Sequence, residues 1–170
     1  MKTVQIGAPM TTREPVPSPM PPVFQEPESN EPYGRTLLSS SDDECELLAM
    51  RWRPGARCAP HDHGESSGTI HLVEGRFVER RFAFEDGALR VVATETHDAP
   101  ALLHIEANVI HDMVAPEGGL SLHRYQAAIH GMRVWDVSGE KVLVVSDECG
   151  AWVPSDPALI CSSVPWTKTP

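Results

Sequence analysis

The chain has 170 residues, 41% of them hydrophobic, and a formal net charge of −10. That length suits one domain with a substantial core. The acidic balance argues against nucleic acid and against anionic membrane surfaces, because both attract basic patches. No apolar stretch follows Lys2 as it would in a secretory leader, and no apolar run is long enough to span a membrane. Cys45, Cys58, Cys149 and Cys161 are far apart and form no Cys-x-x-Cys motif. A disulfide framework is therefore not expected, and a reducing cytosol is the expected compartment. Cys58 is read as a buried small hydrophobe facing away from His61.

Residues 1–32 are proline-rich, from Pro9 to Pro32. Neither a helix nor a central strand survives that density, so an extended arm is expected. Residues 33–39 are expected to begin a barrel, and residues 46–52 read as a half-buried strand. Residues 71–84 alternate with a period near two, with their charges on the wet face. Glu85-Asp86-Gly87 is a hairpin turn, and residues 88–96 continue as a strand. Residues 101–111 and 120–126 supply further strands. Val137-Ser138-Gly139-Glu140 joins residues 132–136 to residues 141–145 as a hairpin. The tail, residues 154–170, carries Pro154, Pro157, Pro165 and Pro170 and is expected to be irregular. Many short strands without a long amphipathic helix imply one all-β barrel or jelly roll over residues 33–153.

The informative stretch is Pro60-His61-Asp62-His63-Gly64. Residues i and i+2 of an extended chain point to the same side, so His61 and His63 form half of a metal site. Pro60 disfavours helix just before the pair. The third ligand should come from another segment, and His111 fits, following the apolar pair Val109-Ile110. His104 lies seven residues earlier, with opposite parity, and should face away. His71, His97 and His130 have no supporting pattern. Neutral imidazole suits iron, zinc, copper and nickel alike.

A glycine, His-x-His, a glycine-closed strand and a distant third histidine resemble the two-part signature of the cupin β-barrels. Most metal-binding cupins add a glutamate four or five residues after the second histidine. Here Ser67 and Gly68 stand there, and Glu65 is at the wrong offset. A carboxylate-free set of three histidines resembles the thiol dioxygenase branch, which includes cysteine dioxygenase. Leu120-Ser121-Leu122-His123-Arg124-Tyr125 resembles that family's Ser-x-His-x-Tyr strand. Tyr33-Gly34-Arg35 lies at the family's distance upstream of the histidine pair, and Trp52 also matches. The resemblance spans roughly residues 33–152.

The resemblance implies a single cupin barrel holding Fe(2+) on His61, His63 and His111. It implies a small thiol substrate, L-cysteine foremost, to whose sulfur both atoms of O2 are added to give a sulfinate. Arg35 and Tyr33 would bind the substrate, Arg35 through its carboxylate. Tyr125 would donate a hydrogen bond at the reacting centre, with His123 and Ser121 behind it. Gly68 replaces a cysteine that crosslinks to the tyrosine in animal relatives, so Tyr125 is expected uncrosslinked, as in bacterial ones. Gln126-Ala127-Ala128 departs from the prolines common after that tyrosine. Rival readings are a dioxygenase of another thiol acid such as 3-mercaptopropionate, a non-catalytic metal- or ligand-binding cupin, and a zinc hydrolase. The last lacks a glutamate placed as base. Arg133 is a second candidate for the carboxylate. The oligomeric state is open, with a monomer as the expectation.

Overall fold

A computed structural model describes residues 24–28, 30–41 and 45–166. Most of the proline-rich segment therefore lies outside the described residues, as do residues 167–170. Among the described residues ten strands follow in order: β1 Tyr33–Ser41, β2 Cys45–Trp52, β3 Gly68–Glu85, β4 Ala88–Asp98, β5 Ala101–Ile105, β6 Ile110–Val114, β7 Gly119–Tyr125, β8 Arg133–Asp136, β9 Lys141–Val145 and β10 Ile160–Pro165. All strand pairings are antiparallel. One sheet runs β1-β2-β7-β3-β4, with β5 and β6 also on β3; the other runs β10-β9-β8. The fold is all-β, as the strand pattern predicts. No helix among the described residues is long and apolar enough to cross a membrane.

β3 is the hub. Its first part pairs with β7 and β5, and its second part with β4 and β6. Between them the register with β7 shifts at Leu72/Glu74. Gly75 follows with φ of 97°, and a Cβ there would run into the Gly118 carbonyl. A bulge of this kind changes which side chains face inward. Before it Ile70 and Leu72 point into the core; after it Phe77 and Glu79 do. The expectation of a wet face for every charge in this strand therefore fails at Glu79, which is 1% exposed.

Leu48, Met50, Trp52, Ile70, Leu72, Phe77 and Ile105 fill the barrel. Each such side chain contributes roughly 1.5–3 kcal/mol when fully buried. Trp52 packs its ring against Tyr33 at 4.7 Å and Phe77 at 5.7 Å between centroids.

The tail is not irregular throughout. A 3-10 turn, Pro157–Leu159, is capped by Asp156, which accepts from the Ala158 amide at 2.9 Å. β10 then pairs with β9. Its prolines are compatible with this. Pro157 starts the turn and Pro165 ends an edge strand, positions where a missing N–H breaks no ladder bond.

Candidate metal centre and its cavity

His61 lies in the irregular segment between β2 and β3, not on a named strand, and β6 fixes it. His61 and His111 exchange two backbone hydrogen bonds of 2.9 Å, forming a single β-bridge. The expected third ligand thus sits directly opposite the first. Ring centroids are 4.6 Å apart for His61–His111, 5.0 Å for His61–His63 and 5.1 Å for His63–His111. The candidate ligand atoms of all three lie within 4.8 Å of one another.

The geometry fits a bound cation. Nε2 of His61 and Nε2 of His63 are 3.2 Å apart. Two nitrogens about 2.1 Å from one ion, at angles between square and tetrahedral, would be about 3.0–3.4 Å apart. His61 donates from Nδ1 to the Ala59 carbonyl at 2.9 Å. His111 donates from Nδ1 to Glu79 Oε1 at 3.1 Å. Both bonds place the proton on Nδ1 and leave Nε2 bare. Nε2 of His111 is buried and has no hydrogen-bond partner. Burial, reinforced by the neighbouring histidines, holds the pKa of His61 and of His63 well below the usual range. Both are therefore neutral, the form a metal requires.

Three carboxylates around the centre escape the sequence reading. Burial alone would raise the Glu79 pKa, but the bond to His111 and the nearby Arg81 and His97 outweigh it and hold it low. Glu79 is thus an ionised anchor for the His111 ring. Asp62 and Asp112 are fully buried, each next to a histidine and of opposite parity to it. Asp62 accepts from Arg133 Nε at 2.6 Å and from the Gly64 and Arg133 amides at 3.2 Å each. Asp112 accepts from Arg57 Nη1 at 2.6 Å and from Arg80 Nε at 3.1 Å. Each His-Asp doublet turns its imidazole inward and its carboxylate into an arginine clamp. The repeated doublet, His61-Asp62 and His111-Asp112, was the available signal. Arg133 is committed to Asp62 and does not line the cavity, which removes it as a candidate for substrate carboxylate.

A small cavity of about 40 Å³ opens over the three histidines. That is room for only a few water molecules. Tyr33, Arg35, Trp52, His123 and Tyr125 line it, so of the residues singled out for the site only Ser121 and Arg133 do not border this space. Cys58 lines it too, contrary to the expectation that it faces away. Its sulfur accepts from the Met113 amide at 3.1 Å, and burial pushes the thiol up to about 12. It is thus a neutral packing group.

Ser121, His123 and Tyr125 alternate along β7 and share its inward face. Trp52 Nε1 donates to Ser121 Oγ at 2.8 Å. The buried Ser121 hydroxyl then has His123 Nε2 as acceptor, at 2.8 Å. His123 in turn donates from Nδ1 to the Tyr125 hydroxyl at 3.0 Å. An indole N–H can only donate, so the chain runs from Trp52 to Tyr125 and leaves the phenol proton for the cavity. Burial drops the His123 pKa to about 3, so it is neutral. Burial, then the Glu46 charge, pushes Tyr125 up, which keeps its proton in place.

Arg35 donates from Nη1 to the Asp147 carbonyl at 2.7 Å, and its Nη2 lies 3.4 Å from Glu46 Oε1. The Tyr33 hydroxyl accepts from the Ala151 amide at 2.8 Å. At Gly68 a Cβ would come within 2.6 Å of Tyr125 Cδ1, so glycine is what lets the ring sit there. The loop after Tyr125, which lacks prolines, is pinned instead by Gln126 N to Ser67 O at 3.0 Å and Ser66 Oγ to Ala127 O at 2.8 Å. His71 and His104 are exposed, and His130 pairs with Asp147 at the surface.

Solved structures similar to the chain include an RmlC-like cupin from Shewanella frigidimarina, at 20% identity, covering 62% of this chain and 85% of that one, with a TM-score of 0.49. KdgF from a Halomonas species is 17% identical, with 62% and 87% covered and a TM-score of 0.48. A cupin superfamily protein from Desulfitobacterium hafniense is 14% identical, with 65% and 94% covered and a TM-score of 0.49. No match was found among the curated proteins. The family model described as cysteine dioxygenase type I matches residues 28–138, which include both histidine segments, Arg35 and Tyr125. That span is well over half of the chain, and the chain accordingly belongs to the cysteine dioxygenase type I family.

Proposed function

We propose that the protein is an iron(II)-dependent thiol dioxygenase that converts L-cysteine to cysteine sulfinic acid. The observation that carries this reading is a carboxylate-free face of three neutral histidines with a hydrogen-bonded tyrosine beside it. The Tyr125 ring lies 4.9 Å from the His63 ring, centroid to centroid. His61, His63 and His111 would hold the ion. Bound iron(II) would supply open positions for a thiolate and O2 and the redox capacity to bring them together. Zinc has the same ligand preference but no redox chemistry.

The overall reaction balances without another reductant. A thiol plus O2 gives a sulfinic acid; the sulfur surrenders four electrons and the dioxygen accepts them. The chain's own residues orient and protect. Arg35 offers a planar fork for the substrate carboxylate. Two of its five N–H groups are engaged with Asp147 and Glu46, so three remain. Tyr33 borders the same end of the cavity. Tyr125 donates a hydrogen bond to the sulfur or oxygen side of the reacting centre and keeps its proton. Ser121 and His123 keep that phenol oriented, and Trp52 keeps Ser121 oriented. The small volume favours a substrate of few heavy atoms. The four free cysteines suit a reducing cytosol.

The test is oxygen uptake by the iron(II)-loaded protein with L-cysteine, 3-mercaptopropionate, homocysteine and cysteamine in parallel, with products identified by mass. Uptake with cysteine and formation of its sulfinate supports the proposal. Uptake only with another thiol moves the substrate. No uptake with bound iron leaves a binding cupin.

A further inference from the structure

β4 carries Glu95 and His97, two residues apart and therefore on one side of the strand. Its register with β3 sets Glu95 directly across from Glu79, and His97 across from Phe77. Cross-strand partners share a face, so the three polar side chains meet there. Glu79 Oε1 serves His111 Nδ1 at 3.1 Å and lies 3.5 Å from Arg81 Nε. Its Oε2 is 3.6 Å from His97 Nε2, which in turn lies 3.9 Å from Glu95 Oε2. Among the described residues this is the second group of three metal-ligating side chains, after His61, His63 and His111, whose ligand atoms lie within 4.8 Å of one another.

The imidazole is the anomaly. His97 Nε2 is buried and has no hydrogen-bond partner. Its separations from the two carboxylates are too long for hydrogen bonds. A buried ring nitrogen thus stands between two carboxylate oxygens and bonds to neither, which is costly. The spacing suits an ion instead. Two ligand atoms about 2.1 Å from one cation, at angles between tetrahedral and trigonal, are about 3.4–3.6 Å apart. The Glu79–His97 distance matches, and the exposed Glu95 side chain needs only a small rotation to close the other. Exposure rises from 1% at Glu79 through 20% at His97 to 58% at Glu95. One side of the group is therefore fixed in the protein, and the other opens to solvent for entry of an ion and its water ligands.

We infer that Glu79, Glu95 and His97 form a second cation site, distinct from the three-histidine centre, that takes a divalent transition-metal ion of the zinc class. The two carboxylates supply two negative charges and the neutral imidazole supplies the nitrogen. Zinc accepts this mixture of oxygen and nitrogen donors, with water completing its four positions. Calcium and magnesium prefer oxygen alone, so the imidazole disfavours them. Glu79 is the shared element. One of its oxygens anchors the His111 ring, and the other would ligate the outer ion. The outer site needs no dioxygenase chemistry, so it stands whether or not the protein oxidises a thiol.

The test is equilibrium dialysis of the metal-free full chain against zinc(II), with bound metal counted per chain and circular dichroism confirming the fold of each variant. The unaltered protein should bind two zinc ions. Glu95→Gln and His97→Ala should each bind one, because losing a direct ligand costs more than the roughly 10–100-fold that losing an outer partner costs. A variant with both His61→Ala and His63→Ala, which lacks the inner centre, should still bind one. Adding Glu95→Gln to that variant should abolish binding, and this arm excludes an indirect effect of the outer residues on His111. Binding by the inner-site variant that Glu95→Gln leaves unchanged would overturn the inference, since the ion would then lie elsewhere. No zinc bound by the folded inner-site variant would overturn it as well.

Discussion

Glu79 Oε1 accepts a hydrogen bond of 3.1 Å from His111 Nδ1, with both side chains almost fully buried. This bond fixes which imidazole nitrogen is free, and partners of this kind tune metal affinity by about 10–100-fold. Glu79→Gln should therefore weaken iron(II) binding by about that factor, with the strands retained. Titration of the metal-free protein, with circular dichroism as the control, checks it. Equal affinity would mean that the carboxylate only packs.

Tyr125→Phe keeps the ring and removes the proton at the end of the Trp52-Ser121-His123 chain. Metal content should be unchanged, because no ligand is touched. Turnover should drop about 100-fold or more, the usual scale for a lost proton donor in a transition state. Metal analysis alongside steady-state kinetics separates the two. Full activity in the variant would remove Tyr125 from the mechanism.

The burial of His123 makes the metal-free protein acid-sensitive. Its pKa falls from 6.5 to about 3 on folding. Between those values the unfolded chain binds a proton that the folded chain refuses, so stability rises with pH across that window. It is complete above 6.5 and is lost progressively as pH drops toward 3. The depressed values of His61 and His63 act in the same direction. The Tm of the metal-free protein should be clearly lower at pH 5 than at pH 7.5, by calorimetry. A flat or inverted profile contradicts neutral burial of these rings.

Gly68 faces the Tyr125 ring. A methyl group at that position would press on Tyr125 Cδ1 at 2.6 Å and on the Arg124 carbonyl at 3.0 Å. Gly68→Ala should destabilise by about 1–3 kcal/mol, as overpacking does, and should lower turnover by displacing the phenol. Urea unfolding and kinetics check both. An unaffected variant would show that the ring has slack.

The parts of the site that lie close together along the chain are legible in the residues themselves. His61 and His63, or Ser121, His123 and Tyr125, need only the two-residue repeat of an extended segment to share a side. His111 is legible because one more neutral ligand is required, and the β-bridge puts it opposite His61. The residues missed depend on something no local pattern encodes. Glu79 turns inward only because the bulge between Leu72 and Glu74 reverses the parity of β3. Cys58 enters the cavity because residues 53–67 form no continuous strand, so alternation does not govern it. β10 was hidden by its prolines, which here occupy a turn and a strand end.

The central claim is that both atoms of dioxygen reach the sulfur of a thiol held beside Arg35 and Tyr125. The most direct measurement is the reaction of the iron(II)-loaded protein with L-cysteine under 18O-labelled oxygen, with the product analysed by mass. The account predicts cysteine sulfinic acid carrying two labelled oxygens. Product with one label or none, or loss of oxygen without sulfinate, would contradict it.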